Sequence, residues 1–456
     1  MKKKRAGLNA PAKIALSFLG LILLGSFLLC TPIATTTGQW WNFTDALFTS
    51  TSAVCVTGLV IADTAVQFTM FGQIVLLLLI QIGGLGFISV SALIILAAGK
   101  RLSYKNRVVL QESLNRESNQ GVVKLLQQIG IIVFITEFIG FVLLLPSMII
   151  EYGIDGIFKA LFLSVSAFCN AGFDILGTTG TQFQSLIPFA QNVFVLLPIM
   201  FLVVNGGIGY MVILEIIGKF KKETRKPFSI HVKIVLIVTT VLILGGALLF
   251  ALFEWNNPET IGNMPTFDKI INSLFQSITP RTAGFATIDQ AKLTSSSRVV
   301  TDILMFIGGS PSSIAGGVKT TTIFVLIMYA FRSAGQKGDI VIGRKSISNK
   351  TIQKALRIVV LAVILIILGV ISISLIEINN PVANSSSIIF EVISAFSTVG
   401  ITLGITPTLA VASKIILITL MFVGRVGLLT LTLAIRKKSR DAYGLIQYQD
   451  SQIMVG

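Results

Sequence analysis

Apolar residues run along this chain in eight long stretches, approximately Ile14–Ile33, Phe71–Ala98, Val122–Ile150, Phe189–Ile217, Val232–Phe253, Val299–Tyr329, Leu356–Ile378 and Ala412–Ile435. Each holds about 20 residues or more, enough to cross a hydrocarbon core of roughly 30 Å, so the pattern predicts eight membrane spans. The spans fall into pairs. Within each pair lies a shorter amphipathic segment, beginning near Thr44, Asp155, Thr266 and Asn384, residue types that satisfy free N–H groups at a helix start. A helix of about 12 residues is roughly 18 Å long, half a membrane, so each short segment must enter the bilayer and turn back.

Every short segment leads into a stretch that ends in glycine. The four are Val54-Cys55-Val56-Thr57-Gly58, Phe168-Cys169-Asn170-Ala171-Gly172, Pro280-Arg281-Thr282-Ala283-Gly284 and Phe396-Ser397-Thr398-Val399-Gly400, with glycines at intervals of 114, 112 and 116 residues. So regular a period marks one supersecondary unit copied and repacked. Ten residues before the glycine stand Phe48, Phe162, Leu274 and Phe390. Six before stand Ser52, Ser166, Ile278 and Ser394, and five before stand Ala53, Ala167, Thr279 and Ala395. The third copy departs most. The expected fold is an all-α polytopic membrane protein of four pseudo-symmetric repeats, eight transmembrane helices plus four re-entrant pore helices, around a central pore. Its units are residues 1–120 with a basic N-terminus, 121–231, 232–353 with a broken second helix, and 354–456 with a C-terminal tail.

Composition agrees with this class, at 53% hydrophobic and 12% charged residues. The net charge of +16 would suit a nucleic-acid binder, but its placement argues otherwise. With the N-terminus inside, alternation of the spans puts 28 of the 36 basic residues on the cytoplasmic side, which is the positive-inside pattern. Both termini are then cytoplasmic, and the basic excess is a matter of topology rather than a ligand site, in a protein expected to partner membrane lipid and no nucleic acid. Cys30, Cys55 and Cys169 lack metal-ligand spacing, and no disulfide is expected. The single histidine, His231, has no nucleophile or metal cluster around it, so an enzyme is not expected.

Non-helical backbone inside a bilayer survives only where it lines a cavity. An extended strand after a re-entrant helix can aim successive carbonyls at a common axis and replace an ion's hydration shell. Glycine supplies the positive φ this requires, and the helix C-terminus favours a cation. The residues beside the glycines are mostly neutral, so carbonyl ligation of a monovalent cation is the consistent mechanism. The candidate filter comprises Cys55, Val56, Thr57, Gly58, Cys169, Asn170, Ala171, Gly172, Thr282, Ala283, Gly284, Ser397, Thr398, Val399 and Gly400. Potassium would meet the backbone carbonyls of Val56, Thr57, Asn170, Ala171, Thr282, Ala283, Thr398 and Val399. Arg281 is the exception in charge and is expected to turn away from the axis and be paired. Asp63, Asp174 and Asp289 are expected as solvated decoration near the outer mouth.

A second glycine cluster follows in each unit: Gly83-Gly84-Leu85-Gly86, Gly206-Gly207-Ile208-Gly209, Gly308-Gly309 and Gly424-Arg425-Val426-Gly427. Apolar sequence around them excludes a dinucleotide fold, and close helix packing through small residues accounts for the first two. The third opens into Gly308-Gly309-Ser310-Pro311-Ser312-Ser313-Ile314-Ala315-Gly316-Gly317, which should break the helix in that copy alone. Arg425 is a charge within a span, with Glu137, Asp302 or Glu391 as candidate counter-charges, and Lys319 follows the break.

At these residues the chain resembles the Trk/Ktr/HKT superfamily of potassium transporters, and within it the KtrB-like membrane subunit. The resemblance covers nearly the whole chain. It implies potassium uptake through a gated pore in a bacterial cytoplasmic membrane, with potassium as the transported ion, sodium as the other candidate, and no organic cofactor. Gly308, Gly309, Ser310, Pro311, Ser312, Ser313, Ala315, Gly316 and Gly317 would form an intramembrane gating loop, with Lys319 and Arg425 beside it and Arg425 a positive barrier. Gly58 fits the potassium-selective group, since a serine there goes with sodium transport in plant relatives. The family also implies a homodimer seated on a cytosolic nucleotide-binding ring of the KtrA/KtrC type. The cytoplasmic loops are too short to hold such a ring, so regulation would come in trans. The rival readings are a sodium-selective or sodium-coupled cation symporter of the same superfamily and, more distantly, a non-conducting membrane receptor.

Overall fold

The computed structural model describes residues 10–113, 121–220, 227–333, 340–342, 345–428 and 430. The basic residues Lys2 to Arg5, Arg116 and Arg436 to Arg440, and the end of the eighth expected span, lie outside the described residues. Four helices are each long and apolar enough to cross a membrane: α1 (Ala10–Cys30), α7 (Val122–Tyr152), α11 (Ile230–Glu254) and α15 (Asn349–Ile376). Each opens one repeat. A short helix follows in every case, namely α2 (Phe43–Cys55), α8 (Asp155–Phe168), α12 (Thr266–Ile278) and α16 (Ser385–Ser397).

Side chains cap two of the four short helices. Asn42 accepts a hydrogen bond from the Thr44 amide at 2.8 Å, and Asn384 accepts one from Ser387 at 2.8 Å. Asn384 is thus a true cap as expected, whereas Thr44 lies inside its helix and Asn42 caps it. Asp155 and Thr266 are the first residues of their helices, and neither α8 nor α12 has a side-chain cap.

The second span of every repeat differs from expectation. In the first, α4 (Met70–Leu85) bends by 96° at Gly86 into α5 (Phe87–Ala97). In the second, α9 (Val193–Ile208) bends by 102° at Gly209 into α10 (Tyr210–Phe220). In the third, α13 (Ser295–Phe306) and α14 (Thr320–Ser333) are separated by a loop. In the fourth, α17 (Val411–Val426) stops at Gly427. Gly86, Gly209 and Gly427 take φ of +82°, +98° and +89°. The break expected in one copy therefore occurs in all four. Apolar composition hid it, because a single glycine in the left-handed region turns a helix without altering hydropathy.

Between the bilayer elements lie α3 (Thr64–Gln67), α6 (Tyr104–Ser113) and a two-stranded antiparallel pairing of Ile340–Ile342 with Lys345–Ile347. The repeats close into a ring. The short helix of each packs against the second span of the preceding one, α8 on α4, α12 on α9, α16 on α13 and α2 on α17. Lys414 Nζ reaches Asp45 Oδ1 at 2.9 Å across the last of these seams.

Candidate functional site: a ring of glycines above a charged cavity

The chain emerging from each short helix meets its three counterparts at the centre. A Cβ built on Gly58 would lie 2.5 Å from the Ala171 carbonyl oxygen, and one on Gly172 would lie 2.8 Å from that of Ala283. One on Gly284 would lie 2.6 Å from the Val399 oxygen, and one on Gly400 would lie 2.1 Å from the Thr57 oxygen. The sequence of contacts returns to its start, so the four glycines form one closed ring. No side chain fits there.

Backbone conformation repeats with it. The glycines have φ of +95°, +68°, +82° and +92°, and the residues two before them, Val56, Asn170, Thr282 and Thr398, also take positive φ at 57°, 55°, 74° and 52°. Left-handed residues alternating with ordinary ones turn successive carbonyls to one side of a strand. Among the described residues, no hydrogen bond ends on the carbonyls of Val56, Thr57, Asn170, Ala171, Thr282, Ala283, Thr398 or Val399. Buried acceptors of this kind are ordinarily paired. Sequence reasoning anticipated the glycines but not the four left-handed residues before them, which carry ordinary side chains and give no compositional sign.

A hydroxyl staples each strand to its helix. Ser52 accepts from the Gly58 amide at 3.0 Å and Ser394 from the Gly400 amide at 3.1 Å. Ser166 donates to the Phe173 carbonyl at 2.6 Å, and Thr279 donates to that of Phe285 at 2.5 Å. In three units this hydroxyl lies six before the glycine. In the third it lies five before, and the backbone agrees: Ala283 N–H meets Thr279 O, while Thr57, Ala171 and Val399 reach back one residue further. The buried ring of Phe48, Phe162 and Phe390 is likewise matched by Phe275, not by Leu274. One residue is missing from the third connection. This explains the divergence of that copy and places Thr279, not Ile278, as the counterpart of the serines.

Other predicted residues hold different roles. Cys169 Sγ lies 3.3 Å from Gln81 Oε1, behind the strand. Asn170's amide lies between the Thr282 hydroxyl and the carbonyls of Ala167 and Val203, tying the second and third strands together. Arg281 is buried, but its Nε has no partner and no carboxylate lies within ion-pair distance among the described residues, so the expected pairing is absent. Asp63 is not solvated decoration. It is buried, caps α3 through the Ala65 amide at 2.9 Å, and accepts from the Phe183 amide at 2.7 Å. Asp289 caps the turn at Ala291.

The second glycine cluster lies directly beneath. A Cβ on Gly83 would lie 2.1 Å from the Val54 oxygen, one on Gly206 2.1 Å from that of Phe168, and one on Gly424 1.9 Å from that of Phe396. These glycines let the second spans of the first, second and fourth repeats abut the ends of their own short helices, as the close-packing reading expects for the first two. The breaks that follow leave helix-end carbonyls free, and the third unit's loop uses them. Ser310 and Ile314 amides donate to the carbonyls of Gly207 and Gly206 at 3.0 and 3.2 Å, and Tyr210's amide donates to Ser312 O at 3.0 Å. The loop then rises against the ring, where a Cβ on Gly316 would lie 2.0 Å from Thr398 Oγ1.

Arg425 pairs with none of the expected acids. Its guanidinium donates to the carbonyls of Gly83 and Gly84 at 2.6 and 2.9 Å and to that of Ile314. Helix-end carbonyls carry partial negative charge, which suits a cation. Glu137 instead accepts from Gln81 at 3.1 Å, and Glu391 accepts from Thr402 at 2.7 Å and from Thr406. Lys319 Nζ donates to Ala315 O at 2.5 Å.

A motif that the sequence reading missed repeats at the outer ends of α11 and α15, Glu254-Trp255-Asn256-Asn257-Pro258 and Glu377-Ile378-Asn379-Asn380-Pro381. Each glutamate accepts from the amide of the residue just before the second-span helix of its own unit, Thr294 ahead of α13 and Ala410 ahead of α17, both at 2.8 Å, and from its own Asn257 or Asn380. It clasps the two spans of the unit. Its signal was the second repeat of a five-residue pattern.

A family model for the cation transport protein TrkH matches residues 13–443. The chain belongs to that family. It is 38% identical to the potassium/sodium uptake protein NtpJ of Enterococcus hirae, over 100% of this chain and 99% of that protein. It is also 38% identical to the Ktr system potassium uptake protein B of Bacillus subtilis, over 98% and 96% respectively. The crystal structure of the potassium transporter TrkH from Vibrio parahaemolyticus superposes with a TM-score of 0.73 at 17% identity, covering 95% of this chain and 86% of that one, a likeness of fold. Membership makes this TrkH-family chain a multi-pass membrane cation transporter of Trk/Ktr type rather than an enzyme.

Proposed function

We propose that this chain is the membrane subunit of a Ktr-type potassium uptake system, with Gly58, Gly172, Gly284 and Gly400 as its selectivity filter. The observation that carries the reading is the closed glycine ring with eight neighbouring carbonyls uncommitted to protein donors. Carbonyls of low field strength at the C-terminal ends of four short helices suit a dehydrated monovalent cation. The residues from Gly308 to Gly317 act as the gate, and Arg425 raises the barrier for a cation passing it.

The finer parts of the reading follow from the family resemblance. They are a homodimer, a cytosolic nucleotide-binding ring that biases the loop, and insertion in a bacterial cytoplasmic membrane with both termini inside. Potassium influx into proteoliposomes, measured with sodium as competitor, tests the core of it. Gly58→Ser should lower the preference for potassium by about tenfold or more, a loss of roughly 1.4 kcal/mol. Unchanged preference in all four single serine variants would remove the shared-filter assignment.

A second reading is that sodium is co-transported or carried. It is favoured by the name of the Enterococcus hirae relative, which includes sodium. Potassium influx that rises with external sodium at fixed ionic strength would support it.

A further inference from the structure

The first span of each repeat sets a glycine against its own short helix, which fixes a common register. A Cβ on Gly25, Gly140 or Gly246 would lie 2.4, 2.7 or 2.4 Å from the hydroxyl of Ser50, Ser164 or Ser277, and one on Gly369 would lie 3.2 Å from Val392. The three hydroxyls donate to the carbonyls of Ile22, Glu137 and Ile243, each three residues before its glycine, at 2.8, 2.5 and 2.7 Å. The second repeat thus carries a carboxylate where the others carry Ile22, Ile243 and Ile366. A second departure lies in the second spans. Two residues before Gly83, Gly206 and Gly424 stand Gln81, Val204 and Phe422. The shared architecture requires neither polar group, since the other repeats build it with apolar ones.

The two departures meet. Gln81 Nε2 donates to Glu137 Oε2 at 3.1 Å, and Gln81 Oε1 accepts from Cys169 Sγ at 3.3 Å. Gly84 lies three residues on from Gln81, hence on the same face of α4, and its Cβ would lie 2.9 Å from that sulfur. Cys169 is fully buried and immediately precedes Asn170. At the same register in the third and fourth strands, Arg281 Nε and the Ser397 hydroxyl have no partner. Gln81 and Glu137 are half-buried on spans whose outer faces, at Leu78, Phe134 and Phe138, meet lipid. Polar groups at that depth are costly and usually serve function.

We infer that Gln81 and Glu137 are positioning residues of the filter, a relay from α7 through α4 to Cys169 that holds the second strand at the ring. Asn170 gives that hold its purpose. It takes a positive φ, which costs a non-glycine residue about 1–2 kcal/mol, and its amide ties the third strand to the second. Loosening Cys169 therefore disturbs the carbonyls of two strands. The effect on ion preference rests on the filter reading above, whereas the hydrogen bonds do not.

The test uses the purified full-length protein in proteoliposomes, with three readouts: potassium influx against sodium as competitor, melting temperature, and the infrared S–H band that disappears in Cys169→Ala. Gln81→Leu and Glu137→Leu should each lower potassium preference about three- to tenfold, the span of one hydrogen bond. Glu137→Gln keeps a carbonyl acceptor for the Gln81 amide and should retain most of the preference. The S–H band should move to higher frequency in Gln81→Leu, as the thiol loses its acceptor. Gln81→Met, closer in shape, gives the same comparison where the leucine variant fails to insert. An unmoved S–H band overturns the relay, whatever the filter does. A band that moves while preference holds, with Gly58→Ser still impaired, reduces the relay to a structural tie and leaves the filter standing. Preference indifferent to Gly58→Ser as well would instead count against the filter reading and remove the positioning role with it. Equal losses in Glu137→Gln and Glu137→Leu would overturn the hydrogen bond as the cause.

Discussion

The two glycine layers of this protein lie one above the other and obey different rules. In the upper ring all four repeats do the same thing, with positive φ at the glycine and two residues before it, and a hydroxyl staple behind. In the lower layer the repeats part company. Three turn at a single glycine, and the third opens from Ile307 into a loop that spans to Lys319 and bonds to the second and fourth repeats. A dehydrated ion needs equal ligands from every side, so the upper layer tolerates little difference. A movable barrier needs only one arm, so asymmetry is admissible below.

The sharpest way to break the comparison is to add a methyl to each ring glycine in turn. A non-glycine residue in the left-handed region costs about 1–2 kcal/mol before any clash. The clash then ranks the variants. Gly400→Ala, with its Cβ 2.1 Å from Thr57 O, should be the most damaging, and Gly172→Ala, whose nearest atom is 2.7 Å away, the least. Potassium preference and melting temperature should follow that order. Equal damage at all four positions would mean that strain alone, not the closed ring, sets the cost.

Next in size is the barrier. Removing residues 312–315 should raise influx through the isolated subunit, since the closed state loses its obstruction. Arg425→Ala should raise it by about tenfold, because a nearby positive charge adds on the order of 1.4 kcal/mol to a passing cation after screening. Arg425→Lys should do less, since one ammonium cannot reach the carbonyls of Gly83, Gly84 and Ile314 together. Background influx in a well-folded Arg425→Ala protein would make the arginine a structural tie between the first, third and fourth repeats.

A smaller effect tests the staples. Ser52→Ala and Thr279→Ala should each lower stability by about 1 kcal/mol, as for one buried hydrogen bond. Ile278→Ser should fail to rescue Thr279→Ala. Rescue, read by melting temperature, would deny the one-residue offset of the third repeat.

The smallest expected effect belongs to Asp174, in the outer loop two residues beyond Gly172. Burial pushes its carboxyl up to about 6, with Asp63 adding to the rise and the Leu176 amide and Lys159 opposing it. A raised acid favours its protonated form in the fold, so its penalty is absent well below the unfolded value near 4 and complete above about 6. Stability should therefore fall modestly as pH rises between those values. Asp174→Asn should flatten that part of the pH–stability curve, and a curve unchanged by the substitution would exclude the group.

Much of this was legible in the chain before folding. Hydropathy gave the long spans, and the interval between Gly58, Gly172, Gly284 and Gly400 gave four copies of one unit, because a copied element keeps its spacing and its obligatory glycine. What was misread has a common cause. Gly86, Gly209 and Gly427 break helices inside uniformly apolar sequence, and only the backbone shows the turn. Arg425 was assigned acids for partners because composition counts charges. The fold instead supplied carbonyls, freed by breaks the sequence did not reveal. The staple at Thr279 was off by one because register was counted from the glycine rather than from the helix.

By itself, then, the sequence determined that this is a fourfold membrane protein with a glycine at each strand, since period and hydropathy are local properties carried by every copy. The tertiary structure decided which groups face one another: the ring closing Gly400 on Thr57, the loop of the third repeat seated on the second, and the arginine of the fourth on the first. Those contacts join residues hundreds of positions apart. They depend on how four units pack around one axis, and no single segment carries that information.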